Sequence, residues 1–540
     1  MKKSKILLLS SIFLTLNSSL LVISCNSIKE NTNKNDNDLT KEISSQSHEN
    51  NDNSKMDLLI IDGNNIKDFI NDGRIRRINF SYKIIRDLKT KTLKWMLPNN
   101  LYFDANYKIN IEELIMPQVK IIGNSAFSGN TSLKSISVPN VKTIGNSAFL
   151  GNTSLTSIDM PKVTTIGKSA FSGNISLTSV NAPKATTIGD SAFSGNTSLT
   201  SIDIPEVTTI GDSAFSGDIS LTNVSIPKVT TIGDNAFLGN IALTSIDIPE
   251  VTTIGDSAFS GDTALTNVSI PKVTTIGDNA FLGNISLTSL NMPNVIKIGN
   301  SAFSGDTALT SIDIPEVTTI GDNAFSGDTL LTNVSVPKVI TIGYSAFSET
   351  KYFEKLIDSN KQKIAIINNI LIDATKAKGK FTLPENVRTI GVNAFLGNTS
   401  ITSIDMPGVI TIEDSAFSGN TSLESVNGPK ITTIGNSAFS GDTSLTSVDM
   451  PKVITIGDGA FWGDKSLANI NMSKVTTIGD NAFLGNRSLT SIDMSEVTKI
   501  GSYAFWNTSL IFEKQKLPEN MTKDRFKKII AGHSWEKEKN

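Results

Sequence analysis

The chain has 540 residues, which exceeds one ordinary globular core, so the sequence predicts either several domains or an extended repeat. Lys and Arg total 49 and Asp and Glu total 52, giving a net charge of -3. The chain thus lacks the excess of basic residues that would indicate a nucleic-acid partner. The single cysteine, Cys25, excludes an intrachain disulfide and a cysteine-based zinc site.

The N-terminus has the layout of a secretory signal. Three lysines within the first five residues precede an apolar run from Ile6 to Ile23. The stretch Leu21 to Cys25 resembles a bacterial lipobox. This resemblance implies that residues 1–24 are a lipoprotein signal peptide and that Cys25 carries lipid on the extracellular face of the cell membrane. An uncleaved transmembrane anchor is the alternative, because the run is about long enough to span a bilayer.

Two further segments precede the repeats. Residues 25–56 are rich in Asn, Ser, Lys, Glu and Asp, and this composition predicts a disordered tether held by the lipid. Residues 57–110 are predicted to cap the first coil, with a helix from Ile84 to Met96. A binding role for this segment is the alternative, because it holds aromatic residues such as Trp95 that the exposed strand positions of the repeats lack.

An Ala-Phe dipeptide recurs every 22 residues in two arrays. Residues 111–349 hold 11 units and residues 389–510 hold six. The phenylalanines are Phe127, Phe149, Phe171, Phe193, Phe215, Phe237, Phe259, Phe281, Phe303, Phe325, Phe347, Phe395, Phe417, Phe439, Phe461, Phe483 and Phe505. A fixed period of this length indicates a solenoid of stacked coils.

One unit, residues 199–218, shows how a coil is built. Ile202 and Ile204 alternate with polar residues, which predicts a short strand with one buried face, and Pro205 ends that strand. Asp212 stands where its side chain would cap a short helical or 3₁₀ turn at Phe215. Apolar side chains of one coil need the next coil to cover them, so the strands are predicted to form a parallel sheet.

The segments that interrupt and end the arrays have their own patterns. Residues 350–388 contain two apolar runs around Asn368-Asn369, which predict a β-hairpin insertion that joins the arrays without a break. Residues 511–540 are predicted to form a C-terminal cap and tail, with a helix from Met521 to Ala531.

The pattern L-x-x-I-x-I-P-x-V-x-x-I-G-x-x-A-F-x-G resembles the BspA-type (Treponema-type) leucine-rich repeat over about residues 110–510. The chain departs from that family by carrying Asn or Asp, as at Asn196 and Asp218, where the family often has Cys. The resemblance implies a right-handed superhelix with a parallel β-sheet on one face and short helical or 3₁₀ turns on the other. It also implies a secreted or surface protein that mediates adhesion or host-protein binding, with no catalytic residues.

In leucine-rich repeats the exposed strand positions form the usual binding face. The candidate binding residues are therefore Ser201, Asp203, Asn223, Ser225, Ser245, Asp247, Asn267, Ser269, Ser311 and Asp313. They include no Trp, Tyr or Arg, the residues that dominate tight interfaces, so a weak site repeated along the array is predicted to act through multivalency. A solubilising face with hydrogen-bonded ladders is the alternative.

Charged residues also recur with the coil. Asp190, Asp212, Asp234, Asp256 and Asp278 form a predicted row of stacked carboxylates, interpreted as solvated helix caps, with a row of divalent cations as the alternative. Glu and Lys alternate at positions 206, 228, 250 and 272, which predicts ion pairs between neighbouring coils.

No enzyme is indicated, because the repeats contain no His or Cys and no nucleotide-binding or nucleophile motif. No metal, cofactor or small-molecule substrate is predicted. The predicted function is an adhesin-like surface lipoprotein that binds an extracellular or host protein. The alternative is a structural and antigenic spacer of variable repeat number, since residues 205–248 and 249–292 differ at only 6 of 44 positions.

Overall fold

The computed structural model describes short strands between residues 60 and 115, and then residues 119–359, 361–519 and 521–537. All of these belong to one compact unit, Leu58–Asn540. The predicted signal peptide, the lipid attachment at Cys25 and the tether lie outside the described residues.

Every coil but the last contributes a front strand, mostly of three residues with one apolar side chain between two polar ones. The front strands are Glu113–Ile115, Ser135–Ser137, Ser157–Asp159, Ser179–Asn181, Ser201–Asp203, Asn223–Ser225, Ser245–Asp247, Asn267–Ser269, Ser289–Asn291, Ser311–Asp313, Asn333–Ser335, Gly379–Thr382, Ile401–Asp405, Ser425–Asn427, Ser447–Asp449 and Asn469–Asn471. They pair in parallel with a register of 22 residues along most of both arrays.

A second strand of two residues follows in each coil and forms a side sheet that the sequence did not predict. The side strands are Ile60–Ile61, Ile121–Ile122, Thr143–Ile144, Thr165–Ile166, Thr187–Ile188, Thr209–Ile210, Thr231–Ile232, Thr253–Ile254, Thr275–Ile276, Lys297–Ile298, Thr319–Ile320, Thr341–Ile342, Thr389–Ile390, Thr411–Ile412, Thr433–Ile434, Thr455–Ile456, Thr477–Ile478 and Lys499–Ile500. The isoleucine points into the core and the preceding residue points outward.

The predicted helical turn at Ala-Phe is wrong. Ser213 has a φ of 56°, outside the helical region, and its N–H donates to Asp234 O of the next coil at 2.7 Å. Phe215 N–H donates to Ala236 O and Gly217 N–H to Leu238 O, both at 2.8 Å. Alternate amides therefore bond to the neighbouring coil, and turns replace a helix. The right hand of the superhelix stays a prediction.

The phenylalanines form one column in each array. Successive rings from Phe127 to Phe347 stack with centroids 5.2–5.4 Å apart and planes within 18° of parallel. The rings from Phe395 to Phe505 stack at 4.5–5.3 Å. The stacking requirement inferred from the sequence is met, because each ring inside an array is covered above and below by its equivalents. Phe347 and Phe395, at the facing ends of the two arrays, are instead met edge-on by Tyr352 and Phe381.

A helix and a hairpin join the two arrays. Helix α1, Lys351–Ser359, occupies the place where the next front strand would fall. Strands Ala365–Ile367 and Ile370–Asp373 then pair antiparallel around Asn368, which has a φ of 54°. Ile367 and Ile370 pack into the core of the first array and Leu371 packs into that of the second, so one hairpin closes both cores.

The two ends are closed by different elements. The helix predicted from Ile84 to Met96 is wrong, because strands Ile84–Arg86 and Leu93–Met96 pair antiparallel and extend the front sheet to Glu113–Ile115. At the C-terminus a 3₁₀ turn, Phe512–Lys514, precedes helix α2, Lys523–Ile530, whose Phe526 and Ile529 are buried. Strand Trp535–Glu536 then covers the last side strand in antiparallel fashion.

A ladder of buried Asn and Asp side chains runs beside the phenylalanine column. Asn196 N–H donates to Asp218 Oδ1 at 2.7 Å, and Asp218 N–H donates to Asn240 Oδ1 at 2.9 Å. Except in Asn398, whose Nδ2 donates to Ala374 O and Ala377 O, the second side-chain atom has no partner: Nδ2 in the buried asparagines and Oδ2 in the buried aspartates. Burial raises the pKa of Asp218 well above its usual value and raises that of Asp328 to about 9, so the protonated form is favoured in the fold.

The phenylalanine column gives a first prediction. Phe259→Ala removes a fully buried ring between Phe237 and Phe281. We expect a loss of about 3–5 kcal/mol in the stability of the surrounding coils, measured by urea unfolding. The control is Ile285→Ala, whose side chain is 52% exposed and whose loss should change stability by less than about 0.5 kcal/mol. Equal effects of the two changes would contradict a core built on this column.

The buried ladder gives a second prediction, on pH. The folded pKa of Asp328 lies above the unfolded value of 3.8, so its protonation stabilises the fold most at low pH, and this contribution is lost as pH rises from about 4 to about 9. Asp328→Asn should therefore raise the free energy of unfolding, measured by urea titration, more at pH 8 than at pH 5. The difference should be about 4 kcal/mol, since each of the three pH units between them costs the aspartate about 1.4 kcal/mol.

The matched control for this change is Asp322→Asn. Asp322 is exposed, and its Oδ1 accepts a hydrogen bond from Tyr344 N–H of the next coil. One coil earlier, an asparagine makes the equivalent bond, because Asn300 Oδ1 accepts from Asp322 N–H. An amide can keep this bond, so the control should leave the pH dependence unchanged. A stability gain of Asp328→Asn that does not vary with pH would count against a protonated carboxyl in the ladder.

Candidate functional site: the front face

The front face presents the polar side chains that the sequence predicts as binding residues. In strand Ser201–Asp203 the central Ile202 is 3% exposed, while Asp203 is exposed, as period-two alternation requires. Of the ten predicted residues, eight are exposed, and Ser201 and Ser269 are half-buried. The pairing register places Asp203 beside Ser225 and Asn181 on the neighbouring coils.

The structure divides the predicted residues into three groups. The front sheet is continuous up to Asn223–Ser225, resumes over Ser245–Asn291 and again over Ser311–Ser335. Each piece ends at a strand whose central side chain is only half-buried, at Val224, Leu290 and Val334. No feature of the 22-residue pattern predicts these interruptions. The first four predicted residues therefore share one sheet, the next four share a second, and Ser311 and Asp313 lie in a third.

Hydrogen bonds between coils hold part of this face in place. Thr222 Oγ1 donates to Thr200 O at 3.1 Å, and the same bond repeats at Thr266 with Thr244 O at 2.9 Å. Where an asparagine follows an aspartate in the column, its amide donates to the carboxylate, as from Asn181 Nδ2 to Asp159 Oδ1 at 2.6 Å. This side-chain ladder matches the solubilising alternative, and it also presents a fixed row of polar groups to a partner.

An open groove of about 490 Å³ lies where helix α1 meets the end of the first array. Asp313 and Asn333 line it from the front strands, and Tyr352 and Lys355 line it from the helix. Half-burial raises the pKa of Tyr352, and its ring packs edge-on against Phe347 at 5.6 Å. Sequence reasoning missed Tyr352 and Lys355, although the break in the 22-residue period marked their place.

The predicted carboxylate row has a different role from the one expected. Asp234 N–H donates to Asp212 Oδ1 at 3.0 Å, and Asp256 N–H donates to Asp234 Oδ1 at 2.7 Å. Each carboxylate thus accepts the amide of the next coil, and the expectation of helix caps is wrong because no helix forms there. Among the residues that the structure describes, no cluster of three or more His, Cys, Asp or Glu is placed to hold a metal.

The predicted alternation of charge does form ion pairs. Lys228 Nζ lies 2.7 Å from Glu206 Oε2, and Lys272 Nζ lies 2.6 Å from Glu250 Oε2. All four side chains are about half exposed, so each pair contributes little to stability but favours the coil register. The helices of the described residues are all too short or too polar to cross a membrane.

Known proteins similar to the chain are repeat proteins. A family model described as the BspA type leucine rich repeat region matches residues 99–209, 186–309, 297–424 and 410–525. A leucine-rich repeat protein from Bacteroides ovatus is 23% identical over 77% of this chain and 94% of its own, with a TM-score of 0.26.

Two further solved structures are similar. A leucine rich cell surface protein from Faecalibacterium prausnitzii is 22% identical over 84% of this chain and 97% of its own, with a TM-score of 0.26. A leucine-rich repeat protein from Treponema pallidum is 21% identical over 43% of this chain and 87% of its own, with a TM-score of 0.24. No curated protein matches the chain. Since the family model spans most of the sequence and the coils stack as its pattern requires, the chain belongs to the BspA-type leucine-rich repeat family.

Proposed function

We propose that this protein is a lipid-anchored surface protein that binds an extracellular or host protein through its front face. The observation that carries the proposal is the face itself, where exposed Ser, Asn and Asp side chains recur in register on successive coils. A partner that engages several coils at once would gain avidity from contacts that are individually weak. The protein acts by binding, and no reaction is assigned to it.

The anchor rests on the N-terminal pattern. Apolar residues end at Cys25, the one cysteine of the chain, and an acidic and polar stretch separates it from the repeats. A diacylglyceryl group on Cys25 would hold the protein at the membrane, since two acyl chains anchor stably where one is marginal. The tether would then carry the front face away from the bilayer.

A spacer without a dedicated ligand is the second candidate. It is favoured by the absence of Trp, Tyr and Arg among the ten predicted front-face residues, because these are the residues that dominate tight interfaces. The near identity of residues 205–248 and 249–292 points the same way, since copies this similar add length without adding a distinct surface.

The anchor is tested with Cys25→Ser in a bacterial host that processes lipoproteins. The unchanged chain should incorporate radiolabelled fatty acid and partition into detergent, whereas the variant should take up no label. The control is a serine-to-alanine change in the tether, at Ser44, which should leave labelling intact. Labelling of the Cys25→Ser chain would refute attachment at this residue.

Binding is tested by reversing charge on the front face. In the chain carrying Cys25→Ser, Asp203, Asp247 and Asp313 are changed together to Lys, and saturable binding to a panel of extracellular-matrix proteins is measured. We expect affinity to fall about tenfold or more, since like charges or lost hydrogen bonds at three coils each cost about 0.5–1 kcal/mol.

The matched control places three lysines off the front face, at Ile175, Ile241 and Ile285, which are 46–52% exposed and lie in the turn that precedes the front strand of their coils. Binding that both triple variants retain would remove the front face as the binding surface. No saturable binding by the unchanged repeats would favour the spacer.

A further inference from the structure

The position directly after each Ala-Phe changes character near the C-terminal end. It holds Ser or Leu in fifteen of the seventeen coils, but Trp at Trp462 and Trp506. Serine here bonds to the next coil, as from Ser418 Oγ to Ser440 O at 3.2 Å, and an indole cannot replace that bond. Trp462 is 54% exposed and Trp506 is 47% exposed. The two indole rings therefore contribute little to the stability of the fold beyond what serine contributes at this position. They also present apolar area to solvent.

The spacing of the two tryptophans is set by the solenoid. They lie two coils apart with half-buried Leu484 between them, and the rings of Phe461, Phe483 and Phe505 beneath advance by 5.2 and 5.3 Å per coil. Gly441 N–H donates to Trp462 O at 2.8 Å and Gly485 N–H donates to Trp506 O at 2.9 Å. The two indoles are therefore carried by a rigid ladder about 10 Å apart along the axis.

The surroundings of the two rings combine aromatic and polar groups. Tyr503 is 50% exposed, and its ring is nearly perpendicular to Trp506 with centroids 6.4 Å apart. Gly459 takes the positive-φ position that Ser or Asn fills in most other coils, and a Cβ there would meet Trp462 Cβ at 3.9 Å. The missing side chain therefore leaves one side of Trp462 open. Asp480 and Asn481, on the intervening coil, are exposed.

This arrangement specifies the chemistry of its ligand. Aromatic faces carry negative charge density and attract the slightly positive C–H groups of a sugar ring, while carboxylates and amides bond to the hydroxyls at its edge. In an extended β-linked polysaccharide, every second sugar turns the same face toward one side, and that repeat has about the length of two coils. An amphipathic peptide helix would need a continuous apolar groove, which the exposed Asp480 and Asn481 interrupt.

We propose that Trp462 and Trp506, with Tyr503, form a binding platform for an extended β-linked polysaccharide of the cellulose or chitin type. One sugar stacks on each tryptophan, the sugar between them lies over Leu484, and Asp480 and Asn481 bond to hydroxyls. The platform lies at the Ala-Phe turns of the last coils, away from the front strands, so it acts independently of the front face.

The experiment uses the full chain carrying Cys25→Ser, with cellohexaose and chitohexaose as probes and maltohexaose as the α-linked control. Titration calorimetry and tryptophan fluorescence should report saturable binding of at least one β-linked probe and about tenfold weaker binding of maltohexaose. Trp462→Ser and Trp506→Ser introduce the residue most common at this position, so the coils should keep their stability. Each change should weaken binding about tenfold.

Two further variants sharpen the test. Gly459→Asn adds a side chain that five other coils carry at this position and should weaken binding by covering Trp462. Leu282→Ser, at the position in the first array that is equivalent to Trp462, should have no effect. Equal affinity for maltohexaose, no binding of either β-linked probe, or unchanged affinity in both tryptophan variants would overturn the proposal. Self-association or binding to phosphatidylglycerol vesicles that the tryptophan changes abolish, without sugar binding, would assign the platform to another partner.

Discussion

Each coil of this solenoid leaves its apolar side chains uncovered until the next coil stacks upon it. Phe215 is fully buried only because Phe193 and Phe237 lie 5.3 Å away on either side. This mutual burial requires coils of equal length, because the insertion or deletion of one residue would move every following side chain of that coil out of its column. The constancy of the 22-residue step is therefore a packing requirement, and it also fixes the distance between equivalent surface groups.

The same stacking buries polar side-chain atoms inside the coil, and those without a hydrogen-bond partner destabilise the fold. The ladder at Asn196 and Asp218 satisfies a backbone amide in every turn, but it buries a second polar atom that no protein group meets. Asparagine leaves a neutral amide unpaired at this point, whereas aspartate must be protonated or carry an uncompensated charge. Asparagines separate Asp218 and Asp262 along the ladder, whereas Asp306 adjoins Asp328 and Asp442 adjoins Asp464. In each adjoining pair, charge repulsion adds to burial and raises the pKa of Asp306 and of Asp442 further.

Chemical variety appears where the regular coil is interrupted or modified. Helix α1 replaces a front strand and brings Tyr352 and Lys355 to the open end of the sheet. The last coils substitute tryptophan for serine without disturbing the backbone ladder beneath. A monotonous array can hold such substitutions because a side chain that points outward does not alter the stacking of its coil. The proposed binding surfaces accordingly lie on a rigid frame that keeps the spacing between ligand contacts constant.

The sequence by itself determined the period, the inward and outward positions of the front strands, the column of phenylalanines within each array and the ion pairs between neighbouring coils. These follow from the side-chain alternation and from the repetition of one pattern, which are local properties. Only the tertiary structure decided where backbone amides bond. The side sheet, the turns at Ala-Phe and the acceptor role of Asp212 arise because amides find carbonyls or carboxylates on an adjacent coil, about 22 residues before or after them in the chain. The strands at Ile84–Arg86 and Leu93–Met96 likewise form because a sheet edge at Glu113–Ile115 is available to pair with them, which no local pattern reveals.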